Sequence, residues 1–359
     1  MSIQIMLFIL AWFVGTKNMF FQRADTPDEI VIEQRNFIED VLFNGGVISL
    51  KDKEYNSQNY LDICEKESIA LIAEIQSINV DDVIGLEISR SDIQEDHLHI
   101  FSLLKNLEEL TFIDCGMDDQ KAKILSHFDK LRNLTFSCEE GITGECFATL
   151  AEMKSLYYIG LVNNPNIKCK YWNDLFISQI PSIGIIECPL TDDVLLSIPN
   201  NKSLTGIALN NVNGITDEVV HFFNCCPNLI GLDLRDNSQI TGKILDQFRY
   251  PQKIEYMVLD GLDITDDHLK NISQFTNLET LCLNNTKISG ESAVRIFAMS
   301  SLIYCDVDNT NLHENAKYLL RQRFHSGDEL DEFIKNKKRA LFSQGGDSST
   351  TETPSKKIE

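Results

Sequence analysis

Apolar residues along this chain follow a phrase with two alternating periods. The stretch "LIGLDL" (229–234) places apolar side chains at alternate positions, which is typical of a strand with one buried face. The stretch "ITDDHLKNISQF" (264–275) instead spaces Leu269, Ile272 and Phe275 along one side of a helix. Each phrase therefore predicts a strand followed by a short helix.

The phrase recurs every 24 or 25 residues along most of the chain. Its copies start at Val83, Leu107, Leu131, Leu156, Ile180, Leu204, Leu229, Ile254, Leu278 and Leu302. One strand and one short helix cannot bury their own apolar face, whereas stacked copies cover one another. The period therefore predicts an α/β fold, a right-handed solenoid shaped like a horseshoe, with parallel strands on the concave face and helices on the convex face.

Threonine, serine and aspartate recur where the helical half of each repeat begins. Thr265 and Asp266 can accept hydrogen bonds from the free N–H groups of the first helical turn. The same role fits Thr191, Asp192, Thr216, Asp217, Thr143, Thr241 and Ser289. We interpret the Thr-Asp pairs as helix caps and not as metal ligands.

A second recurring position lies three residues after the last strand leucine. It is occupied by Ser91, Cys115, Glu139, Asn164, Cys188, Val212, Asn237, Leu262, Thr286 and Thr310. A small polar side chain there can bond the neighbouring backbone as the chain turns inward. Glu139, Val212 and Leu262 do not suit this role, so we expect those repeats to be irregular, with a lengthened loop.

These features together resemble leucine-rich repeats, L-x-x-L-x-L-x-x-[NCT]-x-I-[TS]-[DG]-x-x-[LV]. The closest resemblance is to the bacterial 24-residue variety with "ITD" after the strand, and a more distant one is to ribonuclease-inhibitor-like and cysteine-containing repeats. Proteins of the bacterial group often begin with a membrane anchor, a charged helix ending in "GG" and a short strand. The stretch 26–50, with Gly45 and Gly46, resembles that element. The resemblance implies a fold and leaves the function open, since such repeats have many roles.

The N-terminal stretch "IQIMLFILAWFVG" (3–15) is uncharged, with Gln4 as its one polar residue. It is shorter than the ~20 apolar residues that span a bilayer comfortably and nearer to the apolar part of a signal peptide. We interpret residues 1–25 as a hydrophobic targeting or anchor segment. We therefore expect a membrane-anchored or exported protein; the alternative is a cytoplasmic protein in which this segment is a hydrophobic cap.

The repeat boundaries also predict how the rest of the chain is organised. We expect an N-terminal capping region at 26–82, the repeat solenoid at 83–324, a C-terminal cap at 325–342 and a disordered polar tail at 343–359. The polar stretch 51–62 is expected to be a loop. The basic run Lys335, Lys337, Lys338 and Arg339 is interpreted as a solvated helix face, because acidic residues lie beside it.

Charge narrows the class of partner. The chain has 32 Lys and Arg against 54 Asp and Glu, a formal net charge of −22. This balance argues against nucleic acid, whose phosphates would be repelled, and favours a basic protein. The ten cysteines include no C-x-x-C pair, so neither a zinc ribbon nor a thioredoxin-like centre is predicted.

Strand residues between the apolar positions are expected to face the concave surface, which suits the binding of another protein. The candidate partner-binding residues near the C-terminus are Asp233, Arg235, Tyr256, Asp260, Asn284, Tyr304, Asp306 and Asp308. Aromatic side chains beside carboxylates resemble a protein-binding hot spot for a basic ligand. The alternative is that so acidic a protein spreads carboxylates over its whole surface.

The sequence assigns no catalytic, cofactor or metal site. Cys282 is the one concave cysteine, and its neighbours include no histidine that could act as a base. No nucleophile elbow, P-loop or G-x-G-x-x-G motif is present. Asp260, Asp306 and Asp308 could attract Ca²⁺, but no loop motif supports a calcium site.

We therefore expect a non-enzymatic scaffold for protein–protein interaction; the alternative is a cytosolic inhibitor or adaptor that masks a basic partner. The oligomeric state is left open.

Overall fold

A computed structural model describes residues 47–50, 54–56, 82–102 and 104–324. The chain divides into two compact units, one ending at Leu156 and the other beginning at Tyr157. The predictions for residues 1–25, for most of 26–82, and for 325–342 and 343–359 lie outside the described residues.

The first unit contains a sheet in which the repeat strands are parallel. Its strands are β1 (Val47–Leu50), β2 (Glu54–Asn56), β3 (Val83–Ser89), β4 (Glu109–Ile113) and β5 (Asn133–Ser137). Its described helices are α1 (Glu95–Phe101), α2 (Asp119–Ile124), α3 (Phe147–Ala151) and a 3₁₀ turn at Leu125–His127. Strands β3, β4 and β5 pair in parallel, whereas β1 pairs antiparallel with β2 and β3. Strand β2 lies within the stretch that we predicted to be a loop, because it forms a hairpin with the short strand after the paired glycines.

The second unit contains seven strands that pair in parallel in chain order. They are β6 (Tyr158–Val162), β7 (Ser182–Ile186), β8 (Gly206–Asn210), β9 (Gly231–Asp233), β10 (Tyr256–Val258), β11 (Thr280–Cys282) and β12 (Tyr304–Asp306). Its α-helices are α4 (Trp172–Phe176), α5 (Asp192–Leu196), α6 (Val220–Asn224), α7 (Gly290–Phe297) and α8 (Glu314–Arg323). Its 3₁₀ helices are Cys169–Tyr171, Asp217–Val219, Gly242–Gln247, Pro251–Lys253 and Ile272–Gln274.

The strand register follows the repeat period. Tyr256 lies opposite Thr280, and Thr280 lies opposite Tyr304. Residues that pair on neighbouring strands are therefore one repeat apart in the sequence, with no further shift in register. The strand leucines are buried: Leu278 and Leu281 have no exposed surface. This arrangement confirms the predicted α/β solenoid with parallel strands.

The chain turns in the same way after every repeat strand. The turn residue has a left-handed backbone conformation at Arg90, Asp114, Cys138, Asn163, Glu187, Asn211, Asp236, Gly261, Asn285 and Asn309. Most of these are Asn, Asp or Gly, the residues that adopt this conformation at least cost. The turn is therefore the same in all ten repeats. The loop after it is one residue longer at Glu139 and Val212, where Thr143 and Thr216 follow four residues later, than at Leu262, where Thr265 follows three residues later. The expected lengthening thus holds for two of the three repeats.

Glu139 takes the place of a small polar residue without changing the turn. It is almost fully buried, and its carboxylate accepts hydrogen bonds from the backbone N–H groups of Cys115 (2.7 Å) and Met117 (2.8 Å). A longer side chain thus bonds the preceding repeat as a small polar one would. Val212 and Leu262 are instead buried among apolar neighbours, and the backbone N–H of Val212 donates to Asn237 Oδ1 (2.8 Å).

The helical half of the repeat varies more than the strand half. Residues 264–275, predicted as a helix, contain only turns and the 3₁₀ helix Ile272–Gln274. Leu269, Ile272 and Phe275 are all buried as expected. Their spacing is three residues, which matches the period of a 3₁₀ helix better than the 3.6 of an α-helix.

Two threonines cap helices as predicted. Thr216 Oγ1 accepts from the N–H of Glu218 (3.2 Å), and Thr241 Oγ1 accepts from the N–H of Lys243 (3.3 Å). The side chains of Thr191 and Ser289 make no such bond to their own helices. The capping prediction is therefore correct for part of the set only.

The aspartates of the Thr-Asp pairs accept hydrogen bonds from the next repeat and do not cap their own helices. Asp217 accepts from the N–H and hydroxyl of Thr241, both at 2.6 Å. Asp192 accepts from Thr216 in the same way, and Asp266 accepts from Ser289 and Ser292. These bonds cross from one repeat to the next, so the aspartates tie adjacent repeats together.

Candidate protein-binding surface

The sheet has one face packed on the core and an opposite face, here called the open face, which carries the side chains that alternate with the buried leucines. The last four strands bring these side chains into three rows. The first row holds Gly231, Tyr256, Thr280 and Tyr304; the second holds Asp233, Val258, Cys282 and Asp306; the third, just beyond the strands, holds Arg235, Asp260, Asn284 and Asp308. We call these three rows the C-terminal open face.

Arg235 and Asp233 form a two-pronged ion pair at one side of this surface. Arg235 Nε donates to Asp233 Oδ1 (2.9 Å) and Oδ2 (3.0 Å), and Nη2 donates to Oδ2 (2.6 Å). The hydrogen bonds to Asp233 raise the pKa of the Arg235 guanidinium above its ordinary value. The guanidinium and the carboxylate largely neutralise each other, so Arg235 offsets the charge of the other carboxylates only in part.

The third row is joined by hydrogen bonds from strand to strand. Asp260 Oδ1 accepts from the backbone N–H of Asn284 (2.7 Å), and Asn284 Oδ1 accepts from the N–H of Asp308 (2.6 Å). Asp308 in turn accepts a bond from the guanidinium of Arg321 in α8. These contacts fix the spacing of the carboxylates along the row.

Asp260 lies in an environment that disfavours its charged form. Burial is the largest effect and raises the pKa of its carboxyl to about 6, and the negative charge of Asp306 acts in the same direction. The bonds from Asn284 and the charge of Arg235 lower it only in part. A cation placed near Asp260 would therefore stabilise the ionised carboxylate.

The centre of the surface is apolar and buried. Val258, Cys282 and Tyr304 each have 0% exposed surface, and Tyr256 packs against them. Thr280 is also buried, at 1% exposure, and its hydroxyl has no hydrogen-bond partner within the described part of the chain. An apolar centre with a carboxylate border is the chemical character of this surface.

The structure places the eight predicted partner-binding residues together on the C-terminal open face. Seven of them keep some exposure, whereas Tyr304 is fully buried and offers no side-chain surface to a partner in this conformation. Asp308 is about half exposed and is paired with Arg321. The sequence places Val258 and Thr280 at outward positions without indicating their burial. Nothing in the repeat pattern indicated Arg321, which reaches the row from a helix.

Cys282 lacks the activation that a nucleophile requires. Burial, together with the charges of Asp260 and Asp306, raises the pKa of its thiol above the ordinary value. A reactive cysteine needs a lowered pKa, because the thiolate is the attacking species.

The described residues contain neither a metal-binding cluster nor a membrane-spanning helix. No group of three or more His, Cys, Asp or Glu side chains there is arranged to hold a metal ion. None of the helices in the described ranges has the length and apolar character needed to cross a bilayer. Residues 3–15, which we interpreted as a targeting or anchor segment, lie outside those ranges.

Comparison with known proteins gives structural similarity only. No protein-family model matches the chain, and no curated protein matches it. An internalin from Listeria monocytogenes is 15% identical, with 71% of this chain and 92% of that chain covered and a TM-score of 0.39. Rad7 in its yeast complex with Elc1 is 14% identical, with 89% and 84% covered and a TM-score of 0.45. TLR13 in complex with ssRNA13 is 17% identical, with 65% and 33% covered and a TM-score of 0.44.

The register and the recurring turn define the class of this protein. Parallel strands displaced by one repeat, buried strand leucines and a left-handed residue after each strand make the described chain an α/β leucine-rich-repeat solenoid. The bacterial "ITD" subtype remains a prediction from the sequence.

Proposed function

We propose that this protein is a non-enzymatic scaffold that binds a protein partner through its C-terminal open face. The observation that carries the proposal is the fixed arrangement of Asp233, Asp260 and Asp306 around an apolar centre, with Arg235 as the one basic side chain in the three rows. A preformed row of carboxylates requires little reordering on binding, which favours affinity.

The partner is proposed to present basic side chains. Asp233 is already paired with Arg235, whereas burial and the nearby charge of Asp306 raise the pKa of Asp260, so a basic group placed beside Asp260 would stabilise its ionised form. Complementary charge also speeds encounter and excludes acidic competitors. Tyr256, partly exposed beside Asp233, adds an aromatic contact of the kind common in binding hot spots.

The test is a double charge reversal, Asp306→Lys with Asp308→Lys, in the full-length protein. Captured host proteins are quantified by mass spectrometry for the wild type and the variant. We expect at least a tenfold loss of those captured by the wild type, because lysines would repel a basic partner and break the pair with Arg321.

The matched control reverses two exposed acids elsewhere, Asp129→Lys with Glu152→Lys, and so makes the same change in net charge. It should capture the same proteins as the wild type. Equal capture by wild type and Asp306/Asp308 variant would remove the acidic surface from the proposal. Equal losses in both variants would reduce it to a non-specific charge effect.

Tethering or export through residues 3–15 is also proposed, and the alternative is a cytosolic inhibitor or adaptor that masks a basic partner. Fractionation of host cells separates the two, since the first predicts membrane-associated or exported protein. Recovery in the soluble cytosolic fraction would favour the inhibitor.

The absence of catalysis is likewise part of the proposal. A broad activity screen of the wild type against Cys282→Ala addresses it, because the high pKa of the thiol should leave both equally inactive. Turnover that depends on Cys282 would overturn the scaffold assignment.

A further inference from the structure

Small residues occupy the outward positions in the middle of the second unit's sheet. They are Gly160 on β6, Gly184 on β7, Gly206 and Ala208 on β8, and Gly231 on β9. Gly206 and Ala208 keep partial exposure. Because no bulky side chain projects here, the open face is lowered almost to the level of the backbone.

Two tyrosines bound this depression from opposite sides. A Cβ atom at Gly184 would lie 2.5 Å from the Tyr158 hydroxyl oxygen, so the tip of the Tyr158 ring rests on the bare backbone of β7. On the other side, Tyr256 Cδ1 lies 3.9 Å from where a Cβ of Gly231 would be, so that ring leans towards β9. Strand β8 lies between β7 and β9 and therefore has an aromatic ring on each side.

The distance between the two tyrosines matches one further aromatic ring. Strands β7 and β9 lie about 10 Å apart, since neighbouring strands are separated by ~4.8 Å. A ring centred over Gly206 and Ala208 would lie about 5 to 6 Å from each tyrosine, within the range of roughly 4.5 to 7 Å that aromatic pairs prefer. The small residues of β8 let such a ring approach the backbone.

An unsatisfied amide lies at one end of this space. Asn210, the next outward residue of β8, is only 8% exposed, and its Oδ1 has no hydrogen-bond partner in the part of the chain that the structure describes. Two other buried asparagines use the same atom. Asn201 Oδ1 accepts from the N–H of Ser203 (2.8 Å). Asn237 Oδ1 accepts from the N–H of Val212 (2.8 Å). A buried acceptor without a partner is unfavourable, so Asn210 points to a donor from outside the described residues.

The charges beside Asn210 favour a neutral donor. Arg235 and Asp233 lie on the neighbouring strand and are paired with each other. A charged group of either sign would meet one like charge of this pair, whereas a neutral N–H group meets no such repulsion. Among the natural side chains, tryptophan combines a large planar ring with one neutral N–H donor and no acceptor.

We propose that the open face over β8 is a binding site for a tryptophan side chain of a protein partner. The indole ring lies over Gly206 and Ala208. Tyr158 and Tyr256 flank the ring, and the indole N–H donates to Asn210 Oδ1. That the tryptophan belongs to a protein partner rests on the proposed function, whereas the site for the side chain does not. Such a buried aromatic contact would anchor the partner beside the carboxylates of the C-terminal open face.

The experiment measures binding of N-acetyl-5-fluorotryptophanamide to the full-length protein by fluorine NMR titration. A second probe carries a methyl group on the indole nitrogen and so has no N–H donor. Ala208→Ile fills the space over β8, and Asn210→Ala removes the acceptor. Thr135→Ile is the matched control, at a partly exposed outward position of β5 in the first unit. Urea denaturation verifies that each variant is folded.

We expect the wild type and Thr135→Ile to bind the first probe equally well and the methylated probe at least tenfold more weakly. Ala208→Ile should weaken binding of the first probe at least tenfold, because the isoleucine side chain takes the place of the ring. Asn210→Ala should bind both probes with similar affinity, since the acceptor that distinguishes them is gone.

Absence of binding by the wild type, or equal binding by the wild type and Ala208→Ile, overturns the proposal. Equal affinity of the wild type for the two probes overturns it as well, because the N–H bond is what assigns tryptophan to the site. Neither probe involves a partner, so their failure leaves the proposed function standing. Unchanged capture by Asp306→Lys with Asp308→Lys, together with normal probe binding, would remove the acidic surface alone.

Discussion

The open face of β4 and β5 in the first unit and that of β9 to β12 in the second share one backbone plan and differ in their side chains. Thr111, Thr135 and Ser137 stand partly exposed on the first. Val258 and Cys282 stand fully buried on the second, with carboxylates around them. Since register and turn are the same in both, outward positions can vary without changing the fold.

The inward side shows the opposite behaviour, because different residues there make equivalent hydrogen bonds in the two units. Glu139 in the first unit bonds the backbone of the preceding repeat, as Asn237 does in the second by donating to the carbonyl of Leu209 and accepting from the N–H of Val212. At these inward positions the residue type can change, but the side chain must remain buried and hydrogen-bonded. The comparison therefore predicts large effects for inward substitutions and small ones for outward substitutions in the first unit.

The largest effect is expected for Leu281→Asp. Leu281 is fully buried between Met257 and Cys305, so the substitution would place an unpaired carboxylate in the core. We expect a loss of more than about 4 kcal/mol in the free energy of unfolding, measured by urea denaturation. A loss below about 1 kcal/mol would contradict the assignment of inward and outward positions.

A somewhat smaller effect is expected for Asp119→Ala. The Asp119 carboxylate accepts from Thr143 N–H and Oγ1, from Gly144 N–H and from Cys146 N–H. Burial acts to raise the pKa of Asp119, but these bonds outweigh it and the pKa is lowered. Removing the acceptor should cost about 3 kcal/mol in urea denaturation at pH 7.

The sign of the pH dependence follows from the lowered pKa of Asp119. The stability that this carboxylate supplies is present above its unfolded pKa and is lost as pH falls through its folded pKa. The difference between wild type and Asp119→Ala should therefore shrink only at acidic pH. A difference that grows on acidification would contradict the bonding that we describe.

Asp260 should show the opposite pH dependence. Its folded pKa of about 6 lies above the ordinary 3.8, so its contribution is present below about pH 4 and is lost as pH rises through 6. Relative to Asp260→Asn, the wild type should lose about 2 kcal/mol of unfolding free energy between pH 4 and pH 7. Parallel pH profiles for the two proteins would show that the folded protein does not disfavour the ionised form of Asp260.

The smallest effect is expected for Thr111→Lys on the open face of the first unit. Thr111 is partly exposed, and the lysine side chain can extend into solvent. We expect a change below about 0.5 kcal/mol in unfolding free energy, measured by urea denaturation. A larger loss would mean that the open face of the first unit is also packed, which would remove the contrast between the two regions.

The short-range pattern of the sequence was sufficient for the strands. Alternating apolar residues at a near-constant interval can bury their leucines in one way only, by stacking with each strand displaced by one repeat. The helical halves were less predictable, because a spacing of three residues, as in Leu269 and Ile272, can be read as either α or 3₁₀. The candidate surface residues were found because outward positions follow directly from that alternation.

The sequence by itself determined the repeat, the parallel register and which side chains share the open face, because these depend on contacts that the period repeats. Only the tertiary structure decided what each polar side chain bonds and how deeply it is buried. Asp217 reaches the next repeat's Thr241, Glu139 replaces a small polar residue, and Tyr304 is buried although it lies outward. Such outcomes depend on atoms about 24 residues away or on how side chains of neighbouring strands pack, and local periodicity carries no information about either.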